Sequence, residues 1–538
     1  MASSKKPAKP TVKRQKKATA SPSAGAATGR MMPAASGVRV RMYCQGLGDC
    51  FLLCFRGKLN DPVYMLIDCG VILGTSNAQT IMAQVVTDIL KATGGHIHYL
   101  LGTHQHWDHL SGFIQAQEQF DQLKVDNIWL AWTEDPSNQL ARELRGQREK
   151  TRAALTAVVN RMAGLPGMAG QAKDIRQVLE FFGEAPGGNS GVALSAAATK
   201  GPNTQAALDY LSARPNAQVK YRHPGEDRIA LPEVEHLRIY VLGPPEDEKL
   251  IKQSNPSAKG KEVYELTEIS TPDSFFAAAC GAAAKSIGAS AQAQTPDVQV
   301  DPELQLLQEL SFPFDQRFRI TEADAKRNQF FQDRYFDKNP DEHPSASDQS
   351  WRRIDNDWLG VASQIALNLD SNTNNTSLAI AIELLPSRRV LLFPADAQVG
   401  NWLSWSKYSW PADHGGDKPV TSADLLGRTV FYKVGHHGSH NATLREQGLE
   451  LMQSEDLVAM IPVDHDMAVK KGWGKMPFDP LLKRLTEKTR GRIIRIDKGI
   501  AKRPDDVSAA QWEKFTAQIK QEPRDDGKPL YFEYVVSG

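Results

Sequence analysis

Three histidines and one aspartate fall within the stretch THQHWDH, which follows an apolar run in the amino-acid sequence. These residues are His104, His106, Asp108 and His109. Imidazole nitrogen and carboxylate oxygen together are ligands that suit zinc, manganese or iron. Side chains on a tight loop that leaves a strand can converge on one point, whereas successive positions on a regular helix diverge. The spacing therefore predicts a transition-metal site rather than a chance group of solvent-exposed histidines.

Further polar residues end three other apolar segments. Asp68 follows VYMLI, and Asp396 follows RVLLFPA. A carboxylate at the end of an apolar strand has to meet water, a polar partner or a metal ion. The segment KVGHHGSH puts His436, His437 and His440 after another strand pattern. These positions strengthen the prediction of a metal site.

The segments that position these residues alternate between strand and helix patterns. Residues 38–55 predict a β-hairpin with glycines at its bend, and buried strands are predicted at 63–70 and 97–104. A helix is predicted between them at 80–94, because its apolar residues have helical spacing and two glycines follow it. This alternation favours an α/β fold with a layered core.

Two long regions interrupt this alternation and are predicted to be insertions into one core, because loops of this length without periodicity are unusual in a compact domain. The first insertion is expected to be mostly helical, and the second partly low in complexity. The predicted organisation is a disordered basic tail at 1–36, core segments at 37–133, 218–246 and 356–538, and insertions at 134–217 and 247–355.

The composition indicates a soluble chain in a reducing compartment. The formal net charge is +1, and the five cysteines form no CxxC pair. The sequence contains no apolar run long enough for a transmembrane helix and no signal-peptide pattern, so we expect a cytoplasmic protein without membrane contact. The basic tail at 1–36 either attracts nucleic acid or only aids solubility.

Six motifs occur in order along the chain: GLGDC at 46–50, LIDCG at 66–70, VLGPP at 241–245, NNTSL at 374–378, FPADA at 393–397 and HHGS at 436–439. With THQHWDH, this order resembles the metallo-β-lactamase superfamily, and within it the metallo-hydrolase domain of the bacterial competence-channel proteins (ComEC) and their soluble relatives. The resemblance covers 38–133, 218–246 and 365–500. It implies an αββα sandwich with a metal site at one edge between two β-sheets, interrupted here by two long insertions.

The resemblance also implies two divalent metal ions, zinc first, with manganese or iron as alternatives. The implied ligands are His104 and His106 for the first ion, Asp108, His109 and His436 for the second, and Asp396 as the bridge between them. The resemblance also implies catalytic roles for Asp108 and for His437, and it places His437 beside the substrate. The residues expected to contact the ligands or the substrate are Asp49, Asp68, Asn375, Ser377 and His440.

The sequence departs from the family pattern at three points. No separate histidine ligand precedes the bridging aspartate, so the first ion is one ligand short, and water or Asn375 would fill that position. Leu47 replaces the usual glutamine of the first hairpin, and WGKMP at 473–477 replaces a histidine-containing turn. Nearby His465 is interpreted as a surface histidine.

Two adjacent cations can hold a hydroxide and stabilise both the attacking and the leaving oxygen, which favours hydrolysis. The main functional prediction is therefore a metal-dependent phosphodiesterase or nuclease, with nucleic acid or another phosphodiester as its partner; partner proteins are left unspecified. One alternative is a hydrolase of small esters, lactones or β-lactams. The other is a catalytically degenerate scaffold that binds a partner through its insertions.

Overall fold

The computed structural model describes residues 29–162, 168–184, 203–253, 320, 322–335, 362–412 and 418–538. Predictions for the chain before residue 29, for the low-complexity part of the first insertion and for most of the second insertion lie outside these residues. The described residues form two large mixed β-sheets together with helices. This confirms the predicted α/β fold class, whereas the family assignment stays a prediction.

The strands of the described residues are β1 (Val38–Tyr43), β2 (Phe51–Arg56), β3 (Pro62–Ile67), β4 (His96–Gly102), β5 (Lys124–Ala131), β6 (Gln218–Arg222), β7 (Leu237–Gly243), β8 (Ala379–Leu384), β9 (Arg389–Phe393), β10 (Ser409–Trp410), β11 (Val420–Thr421), β12 (Thr429–Lys433), β13 (Val458–Ile461), β14 (Ile493–Arg495), β15 (Gly499–Ile500), β16 (Ile519–Pro523) and β17 (Pro529–Val536). Within this part of the chain, an eight-stranded sheet has the order β16-β17-β1-β2-β3-β4-β5-β6. A seven-stranded sheet has the order β15-β14-β13-β12-β9-β8-β7, and β10 pairs with β11.

The helices within the described ranges span Ala78–Thr93, Trp107–Gln115, Gln117–Phe120, Gln139–Met162, Ala169–Glu180, Thr204–Ser212, Glu248–Ile251, Glu322–Arg327, Gln329–Tyr335, Ala362–Asn374, Val399–Ser404, Ser422–Gly427, His465–Lys470, Asp479–Thr489 and Ala509–Thr516. None of these described helices has both the length and the apolar content that crossing a bilayer requires.

The two large sheets pack face to face through an apolar layer. Side chains alternate along β2, so Phe51 and Leu53 point into the layer between the sheets, while Leu52 and Cys54 point to the outer face. The ring of Phe51 packs edge-on against that of Phe393 in β9, with 5.8 Å between the ring centres. Helices cover both outer faces, and the layers therefore follow the order helix, sheet, sheet, helix.

The strand directions bring the polar strand ends to one edge of the sandwich. Strands β3 and β4 are parallel neighbours, and so are β9 and β12. Their carboxyl ends carry Asp68, residues 103–106 with the first turn of the helix Trp107–Gln115, Asp396 and the 435–438 turn. Asp108 and His109 therefore lie in a helical turn, and the sequence prediction that all four candidate ligands lie on a loop is wrong for these two. A 2.9 Å hydrogen bond from Leu378 N to Thr103 O joins the two sheets at this edge. The predicted site residues therefore have a common location in the fold.

Helices from the first predicted insertion are part of both outer layers. Gln139–Met162 and Ala169–Glu180 pack with the helix Ala362–Asn374 on the seven-stranded sheet, burying Leu155 among other apolar side chains. Thr204–Ser212 packs on the eight-stranded sheet. In its described part, this region is therefore built into the domain and is not a separate unit.

The end of the predicted basic tail also packs on the domain. Met31 and Ala34 are buried, and Met31 N donates a 2.8 Å hydrogen bond to Ala92 O. The hydroxyl of Tyr64 donates to Met31 O over 2.7 Å. The predicted boundary at residue 36 is therefore too late, because isolated apolar residues in an otherwise polar segment were not recognised as anchors.

Candidate metal centre

Four residues from three chain segments bring ligand atoms together at the edge between the sheets. Asp108, His109, Asp396 and His437 are buried, and one ligand atom from each lies within 4.8 Å of all the others. His437 Nε2 is 2.8 Å from Asp108 Oδ2, and His109 Nε2 is 3.0 Å from Asp396 Oδ2. Ligand bonds of about 2.0–2.2 Å in a tetrahedral site place ligand atoms about 3.4 Å apart. The group therefore has the dimensions of a single-ion site.

Several of these atoms have no hydrogen-bond partner among the described residues. They include His109 Nε2, Asp396 Oδ2 and Asp108 Oδ1. Although the first two lie 3.0 Å apart, they do not have hydrogen-bond geometry. Both atoms also belong to the set of ligand atoms that lie within 4.8 Å of one another. Since buried polar atoms normally find a partner, this arrangement fits a bound cation.

The outer nitrogens of two histidines are fixed by hydrogen bonds. His109 Nδ1 donates to Asp68 Oδ2 over 2.8 Å, and Asp68 itself accepts hydrogen bonds from Thr103 N and Oγ1. His437 Nδ1 donates to Pro462 O over 2.7 Å. When Nδ1 carries the proton, the lone pair of the neutral ring is on Nε2, which faces the group. Asp68 thus contacts His109, one of the candidate ligands, and its role at a metal site stays a prediction.

His104 and His106 form a pair beside this group. His104 Nε2 lies 3.1 Å from His106 Nδ1, and the ring centres of His104 and His109 are 4.2 Å apart. Burial lowers the pKa of His106 to about 3 and that of His104 well below its usual value. Both rings are therefore neutral, which is the form that binds metal ions.

The first insertion supplies an aromatic wall to His106. The ring of Phe181 stacks on the His106 ring with 5.2 Å between centres, and Phe182 contacts it edge-on. The ring of Trp473 in turn stacks on that of Phe181, with 4.8 Å between the ring centres. These aromatic contacts were not predicted from the sequence, because they join segments that are far apart along the chain.

The structure brings His437 rather than His436 into the four-residue group. His436 Nδ1 lies 2.8 Å from Ser439 Oγ and 3.3 Å from Gln398 Nε2, while its backbone N donates to Asp396 Oδ1. Both histidines have left-handed backbone angles, with φ of 43° and 53°. In this turn the backbone conformation decides which ring faces the group. The sequence analysis assigned these two positions the other way round.

Lys433 at the end of β12 is a buried cation that the sequence analysis did not consider. Its Nζ contacts Asp396 Oδ1 at 3.0 Å and also pairs with the Asp49 carboxylate. Although burial opposes it, these two carboxylates raise the pKa of Lys433 above its usual value. Lys433 therefore occupies one oxygen of Asp396 and leaves the other facing the group. A lysine that directly follows an apolar strand was the available sequence signal.

The remaining predicted residues lie outside the four-residue group. Asn375 Nδ2 donates to Ile251 O and Gln253 O, and its Oδ1 accepts from Asn401 N, so the amide is fully engaged away from any ligand role. Ser377 Oγ accepts a 3.2 Å hydrogen bond from Asp396 N and so positions that residue. His440 is exposed and packs near Phe478.

Asp370 is a buried carboxylate near this centre that was missed. It lies on the helix Ala362–Asn374, and its Oδ1 is 3.8 Å from His106 Nε2. Burial, together with the charges of Asp108 and Asp396, raises the pKa of Asp370 to about 8. An aspartate on the inner face of a polar helix gives little sequence signal, because such residues are usually exposed.

Two glycines allow the backbone at Asp108 and His109 to lie close to the first hairpin and to the turn after β3. A Cβ at Gly70 would come within 2.5 Å of Asp108 O and of His109 N, and one at Gly48 within 2.6 Å of Asp108 O. The close approach allows Cys69 N to donate to His109 O over 2.8 Å. The absence of a side chain at Gly48 and Gly70 therefore allows the backbone of Asp108 and His109 to pack directly against these two turns.

A second group, His96, His98 and Asp126, lies half-buried at the opposite end of β4. Lys124 Nζ is 2.7 Å from Asp126 Oδ1, and His96 Nε2 is 2.6 Å from Asp126 Oδ2. The carboxylate is thus already paired, and an adjacent ammonium disfavours a second cation. We interpret this group as a surface ion pair.

Neither a scan against models of known protein families nor a search of curated proteins found a match for this chain.

Proposed function

We propose that this chain is a metal-dependent hydrolase that binds two divalent ions, activates water with them and cleaves phosphodiesters such as nucleic acid. The observation that carries the proposal is the convergence of buried ligand atoms from Asp108, His109, Asp396 and His437. Unpartnered polar atoms in a protein interior are costly, and a bound cation would remove that cost.

The buried acidic and basic side chains around the centre also support the proposal. Five aspartates adjoin the centre and are at most 8% exposed: Asp49, Asp68, Asp108, Asp370 and Asp396. Lys433 is the buried ammonium that pairs with two of them. Although burial works against it, the neighbouring carboxylates raise the pKa of His109 well above its usual value, and they also raise the pKa of His437. Protons on these rings would be replaced by divalent cations, which bind the neutral imidazole.

The residues divide into two metal subsites. The first subsite would consist of His104 and His106, the second of Asp108, His109 and His437, and Asp396 would lie between them. The first subsite remains short of protein ligands, which leaves positions for water and substrate oxygen, as an open catalytic site requires. The two bound ions would polarise the phosphoryl group and supply hydroxide at neutral pH.

The protein groups around the ligands have distinct tasks. Asp68 and the carbonyl of Pro462 keep the lone pairs of His109 and His437 directed inwards. Lys433 Nζ donates a hydrogen bond to Asp396 Oδ1 and so holds that carboxylate in place. Phe181 shields the ring of His106 from water. Rigid placement of ligands by such outer contacts lowers the reorganisation needed during reaction.

Phosphodiesters are the preferred substrate class for two reasons. Two adjacent cations match the charge that develops on the attacking and leaving oxygens of a phosphoryl transfer. The motif order also resembles that of the competence-channel hydrolase domains. Small esters, lactones and β-lactams form the alternative substrate class, because their hydrolysis needs no second cation to neutralise an anionic group. The test must therefore distinguish phosphodiesterase activity from activity on these substrates.

The test combines elemental analysis of the purified protein with hydrolysis of bis(p-nitrophenyl) phosphate, DNA, RNA and a small ester. We expect about two metal ions per chain, as a two-metal site requires, and phosphodiesterase activity that a chelator abolishes. Asp396→Ala should lose most of both, because this carboxylate would serve both subsites. Asp209→Asn, an exposed aspartate on another helix, is the matched control and should behave as wild type.

Three outcomes contradict the proposal. A metal-free wild-type protein would favour the scaffold interpretation. A metal-loaded protein that cleaves only the ester would favour the alternative substrate class. If Asp396→Ala kept both ions and full turnover, the assignment of Asp396 would be wrong.

A further inference from the structure

We propose that Asp370 is a positioning residue for the first metal subsite, in which its carboxylate accepts the Nε2–H of His106 and thereby directs His106 Nδ1 at the metal ion. The inference rests on the proposed function, since it assigns the outer partner of one proposed ligand. It names a residue that lies outside every motif of the sequence resemblance.

The first argument comes from the other histidines of the centre. His109 has Asp68 as its outer partner, and His437 has the carbonyl of Pro462. His104 Nδ1 lies 3.1 Å from Thr103 Oγ1. Metal-binding histidines almost always use their second nitrogen in this way, because the contact fixes the tautomer and the ring orientation. His106 is the ligand whose outer nitrogen has no hydrogen-bond partner among the described residues.

The second argument comes from the unpaired atoms themselves. His106 Nε2 and Asp370 Oδ1 are both buried and both without a hydrogen-bond partner in the described part of the chain. They face each other across 3.8 Å. This gap is too short for a bridging water, which needs about 2.8 Å on each side. A shift of about 1 Å in the carboxylate brings the pair into direct hydrogen-bond range.

The third argument concerns which nitrogen faces the metal. His106 Nδ1 lies 3.1 Å from His104 Nε2, a separation expected for two ligands of one ion. His106 Nε2 is on the opposite side of the same ring and therefore points away from that ion. Asp370 approaches this outer nitrogen, so its geometry favours an outer partner over a direct ligand.

The surroundings hold Asp370 in this position. Its Oδ2 accepts a 3.2 Å hydrogen bond from Asn374 Nδ2, one turn later on the same helix. The neighbouring Leu369 and the preceding Ala366 are buried in the apolar cluster beneath the helix. One carboxylate oxygen is thus fixed and the other is free to bond to His106.

The experiment measures the number and affinity of bound metal ions in Asp370→Ala, Asp370→Asn and the exposed control Asp209→Asn, using zinc or manganese in competition with a chelator. Outer partners typically contribute about 10- to 100-fold to metal affinity. We expect Asp370→Ala to weaken one ion by this amount while both ions still bind at saturating metal. Asp370→Asn keeps an acceptor oxygen and should rescue most of the affinity. Thermal unfolding of the metal-free proteins checks that the variants fold.

Two results would overturn the inference. Unchanged affinity in Asp370→Ala would make the carboxylate irrelevant to metal binding. Saturation at only one ion in both variants would make Asp370 a direct ligand, since an amide would not rescue it. A wild-type protein that binds no metal would instead contradict the proposed function itself, so the two failures are distinguishable.

Discussion

The two proposed metal subsites share the segment 104–109 but are supported by different parts of the molecule. In the second subsite, His109 and His437 are oriented by Asp68 and Pro462, which lie at or just beyond the ends of core strands. In the first subsite, His106 is contacted by Phe181 after an inserted helix and faces Asp370 on another helix. One half of the centre is thus positioned by the sheets, and the other half by the helical layer that covers them.

This difference predicts which substitutions each proposed subsite should tolerate. The sheet-derived contacts are short and involve fully buried partners, so a substitution there has little freedom to relax. The helix-derived contacts involve stacking and a 3.8 Å separation, which leave more room for adjustment. We therefore expect larger losses from changes in the second subsite, and the predictions below test that order.

After the loss expected for Asp396→Ala, the largest effect is expected from a direct ligand of the second subsite. His437→Ala should reduce bound metal from about two ions to one and lower turnover by more than about 100-fold, since losing a ligand exceeds the loss of an outer partner. His436→Ala is the neighbouring comparison and should keep the metal content, because only its backbone N contacts Asp396. Elemental analysis of both variants decides the point, and the reverse pattern would restore His436 as the ligand.

A smaller effect is expected from the outer partner of His109. Both oxygens of Asp68 accept hydrogen bonds, one from Thr103 N and the other from His109 Nδ1 and Thr103 Oγ1, so the NH2 group in Asp68→Asn has to face a donor. This variant should therefore weaken the second ion by about 10- to 100-fold. Asp126→Asn, in the half-buried histidine group at the other end of β4, should leave both metal affinities unchanged. Chelator competition measures both variants. Equal losses in the two would mean that the effect of Asp68→Asn is not specific to the centre.

The aromatic wall should give a weaker effect on the first subsite. Phe181→Leu keeps an apolar side chain but removes the ring that stacks on His106. Aromatic stacking contributes about 0.5–1.5 kcal/mol, so the first ion should bind about 2- to 12-fold more weakly. The second ion should be unaffected. An equal weakening of both ions, measured by the same competition, would contradict the division of the centre into two independently supported halves.

The smallest effect concerns the basic residues before residue 29, which lie outside the described part of the chain. Deletion of 1–28 should leave metal content and turnover of a small phosphodiester unchanged, because no proposed ligand lies there. If these residues capture nucleic acid, deletion raises KM for a long polynucleotide at low salt, and the difference disappears as salt increases. An unchanged KM at low salt would return the segment to a solubilising role.

Local patterns were sufficient to predict the elements that carry the second subsite. Apolar runs ending in a polar residue identified β3, β4 and β9, and the spacing of THQHWDH singled out the segment that carries four of the candidate ligands. These features depend on residues that are close in sequence, so periodicity and residue type contain the necessary information. The resemblance added the expectation of layered sheets, and the apolar cluster between the sheets agrees with that layering.

The contacts around the first subsite could not be predicted in the same way. Phe181 lies in the first insertion and Asp370 on the helix Ala362–Asn374, and both reach His106 through contacts between segments distant along the chain, which have no short-range signature. The choice between His436 and His437 depends on left-handed backbone angles in the turn, which two identical residue types do not reveal. The role of Lys433 could not be predicted either, because it depends on a charge that is buried between Asp49 and Asp396.

The pairing of β1 with β17 has a consequence for how the chain reaches this structure. Val38 is aligned with Val536, so an interior strand pair of the larger sheet joins residues about 500 positions apart. Such a pair cannot form during synthesis until nearly the whole chain has left the ribosome. Until then β1 is an open edge rich in apolar residues, which is a template for aggregation. The yield of folded protein is therefore expected to depend on how well this edge of the nascent amino-terminal half is protected, for example by a chaperone.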